Sequence, residues 1–174
     1  MESKAKLFGH PIHPMLIVLP LGLLSAAVVF DIVYLLTDEA AFSIVAFWNI
    51  AAGVVGGLTA ALFGAWDWFH IPSGTRAKAI GLWHGGGNVV VVGLFAVSWL
   101  LRIGGGASYE PSLLAYVLSF AGVGLALVTG WLGGELVDRL GVGVDPGAHL
   151  DAPSSLSGAP ADANRRAPDA GVGG

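Results

Sequence analysis

Long apolar stretches separated by short polar breaks set the plan of this 174-residue chain. Four runs stand out, at 15–36, 42–69, 79–101 and 113–136. Each reaches the roughly 20 residues a helix needs to cross a hydrocarbon core of about 30 Å. In that core only helices and closed barrels satisfy every backbone N–H and C=O. The runs do not alternate apolar and polar side chains as barrel strands do, so the pattern predicts helices. The connectors, 37–41, 71–78 and 102–112, are short, which favours an antiparallel up-and-down course. Pro72, Gly104-Gly105-Gly106 and Pro111 break the chain where loops are needed. Pro20 lies inside the first run and predicts a kink there. The expected fold class is all-α: an integral membrane bundle of four antiparallel transmembrane helices over 1–144. A disordered tail rich in Pro, Gly, Ala, Ser and Asp is expected over 145–174.

Composition sharpens this picture. Hydrophobic residues make up 55% of the chain and charged ones only 11%, against about 25% charged in a soluble domain. Mean hydropathy is +0.74. The first run is too long for the h-region of a cleaved signal peptide and is expected to stay as a membrane helix. The chain has no cysteine, which excludes disulfides, cysteine-ligated iron–sulfur clusters and c-type haem attachment. Any metal or haem needs histidine, carboxylate, methionine or tyrosine ligands. No basic patch points to nucleic acid. No activated serine or cysteine arrangement points to a hydrolase, leaving at most a redox subunit.

Charge gives an orientation. One side carries Lys4, Lys6, Arg76, Lys78, Arg139, Arg165 and Arg166; the other has Arg102, with Asp38 and Glu39 in its first loop. The positive-inside rule predicts a multi-pass protein of the cytoplasmic membrane with both termini in the cytoplasm. Tyr34, Tyr109 and Tyr116 fall at the outer interface, and Trp66, Trp68, Trp83 and Trp131 at the inner one, as in an aromatic belt.

All five histidines, His10, His13, His70, His84 and His149, fall on the terminal side. His149 belongs to the tail and reads as solvated. His13 and Asp31 lie about five helical turns apart, as do His84 and Arg102. A whole number of turns returns a side chain to the same helix face. If both faces look inward, His13 meets His84 at one end and Asp31 meets Arg102 at the other. Arg102 snorkelling alone into the headgroups is the alternative. Beside His84, Gly85-Gly86-Gly87-Asn88 suggests either a flat ligand or tight helix contact, as do Gly53-x-x-x-Gly57 and Gly130-x-x-x-Gly134. His10-x-x-His13 places two imidazoles one turn apart if helical, which Pro11 and Pro14 disturb. With His84 they form a candidate metal set. Asp67 and Glu135, near His70 and the terminal-side boundary, are candidates to orient a histidine ring. A weak repeat at a shift of 71 lays His13 on His84 and Gly53 on Gly124.

Gly9-His10-Pro11-Ile12-His13-Pro14-Met15-Leu16, with Gly130-Trp131-Leu132-Gly133-Gly134-Glu135-Leu136-Val137, resembles a bacterial family of predicted membrane proteins, domain of unknown function 2231. The resemblance covers about 7–145, and a histidine early in the third helix, here His84, is part of it. Some relatives carry a Rieske-type domain after the last helix, which this cysteine-free chain lacks. The family has no settled activity.

Three readings follow. In the first, the bundle holds haem b, with His13 and His84 as axial ligands and His70, Asp67 and Glu135 nearby. The partners would then be the lipid bilayer and a redox protein. In the second, the chain is a metal-binding or permeating protein that uses His10, His13, His70 and His84. In the third, the histidines and tryptophans only seat a structural or assembly module, which could form a homo-oligomer.

Overall fold

The computed structural model describes residues 1–164. A small antiparallel hairpin, β1 (Lys6–Leu7) and β2 (His10–Pro11), precedes α1 (Ile12–Leu16), α2 (Val18–Thr37), α3 (Ala40–His70), α4 (Arg76–Arg102) and α5 (Leu113–Gly134). A 3-10 turn, Gly106–Ser108, opens the last crossing, and a π-helical turn, Glu135–Arg139, closes it. Four helical stretches, Ile12–Thr37, Ala40–His70, Arg76–Arg102 and Gly106–Arg139, are long and apolar enough to cross a membrane. The all-α membrane bundle expected from the pattern is the fold observed.

Local chemistry explains the boundaries. Pro20 has no N–H, so the Leu16 carbonyl loses its partner four residues on, and the helix is interrupted at Ile17. The Ile17 N–H still donates to the His13 carbonyl (3.1 Å) and Leu21 N–H to Ile17 (3.0 Å), which keeps α1 and α2 in line across the joint. Thr75 and Ser112 cap α4 and α5 by accepting from the amides of Lys78 and Ala115. The α3–α4 corner is clasped from both sides. Trp68 Nε1 donates to the Lys78 carbonyl (3.1 Å), Lys78 Nζ donates to the Trp68 carbonyl (2.6 Å), and that ammonium lies 4.0 Å from the Trp68 ring centre. Trp68 is therefore a corner clasp, whereas Trp66, Trp83 and Trp131 face outward.

Helix α2 packs on α3 and α4 on α5; α3 against α4 joins the two pairs, and a lighter α2–α5 contact closes the ring. The core is small: Leu24, Ala27, Val28, Ala46, Ile50, Val54, Val91 and Phe95. Its polarity is the reverse of a soluble protein's. Asp31, Ser98, Arg102 and Ser119 are fully buried, while Leu21, Val55, Leu62, Val89 and Leu127 are each at least 60% exposed. Apolar surface of that extent is stable against lipid and not against water.

The two helix pairs make matching contacts. A side chain at Gly53 would run into Leu24, and one at Gly122 into Phe95. The first helices correspond at an offset of 71 (Leu24 to Phe95), as the sequence suggests, but the second at 69 (Gly53 to Gly122). Gly124, the partner expected for Gly53, has nothing against its Cβ position. The second hairpin is slightly shorter between equivalent contacts, which a single uniform shift hides.

Candidate functional site

His13 stands on α1, directly after the first residue of that helix, and His84 about two turns into α4. The up-and-down course brings them to one end of the bundle, with ring centres 6.3 Å apart and ring planes at 87°. Each ring is held from the neighbouring helix. His13 Nδ1 lies 2.9 Å from the Ala60 carbonyl of α3, and His84 Nδ1 lies 2.8 Å from the Thr129 carbonyl of α5. A carbonyl only accepts, so both Nδ1 atoms carry the proton and donate. Each neutral ring is thereby left with its lone pair on Nε2. Glycine makes the fit possible: a Cβ on Gly64 would sit 2.8 Å from His13 Cε1, and one on Gly133 3.0 Å from His84 Cε1. Ala60 and Thr129, like Gly64 and Gly133, are related by the offset of 69, so the two imidazoles are equivalent members of the repeat.

Asn88 adds a brace on one side only. Its Nδ2 donates to the His84 carbonyl (2.8 Å), and its Oδ1 accepts from Thr129 Oγ1 (3.1 Å). Of the glycines beside His84, Gly87 packs on Thr129, while Gly85 and Gly86 have nothing against their Cβ positions. Gly86 and Gly87 line an apolar groove of about 540 Å³ with Leu82, Val90, Leu125 and Leu132. Gly53 and Gly57 receive side chains from Leu24 and Val92, as expected of tight helix contact; Gly130 faces open space and does not.

The other sequence candidates are engaged elsewhere. His10 lies in β2, not one helical turn from His13, and its Nε2 meets Ser155 Oγ at 3.2 Å. Proline on either side of Ile12-His13 starts the helix only after His10. His70 ends α3, where its Nδ1 donates to the Trp66 carbonyl (2.8 Å). Asp67 accepts from Ser3 Oγ (2.6 Å) and from the amides of Lys4 and Ala5, so it holds the N-terminal strap rather than a ring. Glu135 takes Arg76 (2.6 Å). His149 Nε2 lies 3.3 Å from the Ala163 carbonyl. Residues 145–164, within the segment expected to be disordered, run through turns and the 3-10 turn Ser155–Ser157; Arg165, Arg166 and the rest of that segment lie outside the described residues. Among the described residues no group of three or more His, Cys, Asp or Glu could hold a metal ion.

At the far end Arg102 donates twice to Asp31, Nη1 to Oδ1 at 2.7 Å and Nη2 to Oδ2 at 2.6 Å. Ser119 Oγ accepts a further bond from Nη2 (3.2 Å), and Ser98 and Ser119 bond each other (2.8 Å). Arg102 therefore does not snorkel. Both ends of the first and third helices meet across the bundle: the spacing of about five whole turns puts each helix's two residues on one face, and both faces look inward.

Two tests belong to this geometry. Gly64→Val and Gly133→Val each drive a branched side chain into a ring held by one hydrogen bond. Each is expected to destabilise the protein by about 1–3 kcal/mol in a detergent melt, the usual range for overpacking. Gly85→Val meets no neighbour and is expected to stay within about 0.5 kcal/mol plus its propensity change. Equal effects at all three positions would contradict the notches.

The second test concerns the strap. Lys6 Nζ binds Asp145 and Glu2, and the Met1 ammonium donates to the Gly141 carbonyl (2.9 Å). The hydrogen bonds that Lys6 donates to Asp145 and to Glu2 raise its ammonium above the usual 10.5, and Lys6 holds Glu2 below 4.5. The raised lysine contributes fully below pH 10.5 and is lost as pH climbs through its folded value. The lowered glutamate contributes above pH 4.5 and is lost as pH falls through its folded value. Both Lys6 ion pairs persist between those limits, and proteolysis within residues 1–11 is expected to rise outside them. A Lys6→Met variant as resistant to proteolysis at about pH 7 as the wild type would rule out these ion pairs as the tether.

A bundle of four long helices, apolar on its outer surface and enclosing a buried ion pair, defines the chain as a multi-span membrane protein. More particularly, residues 9–146 match the family model described as predicted membrane protein (DUF2231), and the chain belongs to that family. No curated protein and no solved structure matches it.

Proposed function

We propose that His13 and His84 form a bis-imidazole site for a b-type haem, making the protein an electron-transfer subunit of the membrane. The 6.3 Å separation of the rings carries this reading. A metal–nitrogen bond to histidine is about 2.0 Å, so imidazoles on opposite sides of one metal atom have centres roughly 6 Å apart. Protonated Nδ1 atoms held by backbone carbonyls leave Nε2 as the ligand atom on both rings, the usual way a protein fixes a ligating imidazole. Gly85 and Gly86, open at their Cβ positions beside His84, leave space there for a flat group. Bound haem would supply a one-electron couple, and His13 and His84 would be the residues that hold it. The excess of Lys and Arg at the histidine end favours the cytoplasmic side for that end and for the redox partner it would serve.

Protein produced with a haem precursor and purified in mild detergent is expected to show a Soret band and about one iron per chain by elemental analysis. Copper or zinc in place of iron would move the site to the metal reading, now limited to His13 and His84. No Soret band and no metal would leave the structural reading. The glycine notches favour that second reading on their own account, because they already seat both rings against neighbouring helices.

A further inference from the structure

The two hairpins of the repeat differ on their outer sides. Between α4 and α5 lies the apolar groove, floored by Gly86 and Gly87 and flanked by Trp83 and Val128. In the first hairpin Met15 and Leu16 stand at the positions of Gly86 and Gly87, and Leu19 lies directly against Gly56. Large side chains thus stand where the second hairpin has none. The groove also has a charged mouth. About two turns before Trp83, on the same face of α4, Arg76 reaches across the cleft to Glu135 (2.6 Å). The Arg76 side chain is 60% exposed, and a single bond to Glu135 leaves most of its five N–H donors over. Glu135 in turn lines a notch of about 200 Å³ with Trp131, Gly134, Asp138 and Arg139. Among the described residues neither Asp138 nor Arg139 takes part in an ion pair. The matching positions of the first half, Ala5, Trp66, Phe69 and His70, carry no such set of charges. Groove and charged mouth therefore occur together, on one hairpin only. We propose that this face binds a single phospholipid of the phosphoethanolamine class. One acyl chain lies in the groove, Arg76 takes the phosphate, and Asp138 takes the primary ammonium.

Length and charge both favour this occupant. From Arg76 to Val90 is about 21 Å along α4, longer than the half-core of about 15 Å that one acyl chain spans. The mouth brings both signs of charge together. A purely anionic headgroup would be repelled by Glu135 and Asp138, whereas a phosphate followed by an ammonium matches Arg76 and Asp138 in turn. The inference stands apart from the haem reading and is tested on protein made without a haem supplement. The full chain, stripped of lipid in detergent, is titrated with dioleoyl phosphatidylethanolamine, phosphatidylcholine and phosphatidylglycerol and followed by native mass spectrometry. One phosphatidylethanolamine per chain is expected, held on the order of tenfold more tightly than the other two lipids. The choline nitrogen has no N–H and the glycerol headgroup no cation, so each lacks the charge-assisted bond to Asp138. Asp138→Asn should bring phosphatidylethanolamine down to the level of phosphatidylcholine. Arg76→Gln should weaken all three. Gly86→Leu should also weaken all three, by filling the groove, while Gly22→Leu on α2 should not. Both glycines have open space at their Cβ positions, so neither leucine disturbs the packing. Equal affinity for the three lipids would overturn the inference, as would a Gly86→Leu variant that binds as the wild type does. A lipid-free dimer that Gly86→Leu breaks would overturn it too, because a second copy would then fill the groove.

Discussion

Arg102→Leu is expected to destabilise the bundle by about 3–5 kcal/mol, the range seen when one partner of a buried ion pair is removed. Asp31 and Arg102 are both fully buried and bind through two parallel hydrogen bonds. Removing the guanidinium strands the fully buried Asp31 carboxylate without its charged partner, about two turns before the end of α2. Ser119 loses a partner as well, but its bond to Ser98 remains. Asp31→Leu combined with Arg102→Leu takes away both charges at once. That double variant is expected to recover most of the loss, since apolar replacements of buried pairs are often neutral or better. Thermal or denaturant unfolding in detergent micelles, on the wild type, both single variants and the double, gives the coupling directly. A double variant no more stable than the worse single one would falsify the pairing. The pair also distinguishes otherwise equivalent halves of the repeat: two first hairpins would set Asp31 against Asp31, and two second hairpins Arg102 against Arg102.

The second large effect is spectroscopic. On the haem reading, His13→Ala with His84→Ala is expected to remove all haem absorbance while the chain still purifies as a folded monodisperse species. Each histidine contributes one neutral hydrogen bond to a carbonyl, worth about 0.5–1.5 kcal/mol. Their joint loss, about 1–3 kcal/mol, lies at or below the low end of the effect of Arg102→Leu. The structural reading predicts a different pair of results: no absorbance in the wild type to begin with, and a drop in melting temperature as the main consequence of the double variant. Absorbance in the wild type that survives in the double variant would place the cofactor elsewhere and remove both histidines from the site. Comparing the stability ranking with the absorbance ranking across Arg102→Leu and the histidine double variant separates a ligand role from a packing role.

The fold was largely legible because lipid imposes one rule on the whole chain. Any run of about 20 apolar residues must close its backbone bonds within itself, so the four helices follow from run length alone. Pairing across the first and third helices was legible too. A spacing of about five whole turns fixes which side chains share a face, and the break at Ile17 did not rotate Asp31 away from Arg102. The site was legible only in part. His13 and His84 could be chosen by position, but their supports could not. The acceptors are the carbonyls of Ala60 and Thr129, groups that every residue carries and no motif marks. Gly64 and Gly133 matter because an imidazole lies against them, and in sequence they are two among 27 glycines. Asp67 and Glu135 illustrate the opposite error. They have the right chemistry at the right boundary, yet Ser3, Lys4 and Ala5 claim the first and Arg76 the second.

By itself, then, the sequence determined the four crossings, the shared side of the histidines and membership of a membrane family, and it offered the two facing pairs as one of two alternatives. Those depend on backbone satisfaction, helical periodicity and local motifs, all of which act along the chain. The tertiary structure alone decided that the second helix of each pair repeats at a shorter offset than the first, and that His10 and His70 stand apart from His13 and His84. It also decided which helix carbonyls fix each ring. Those depend on contacts between segments far apart in the chain, where a few ångströms decide whether a polar group becomes a ligand or merely satisfies a neighbour.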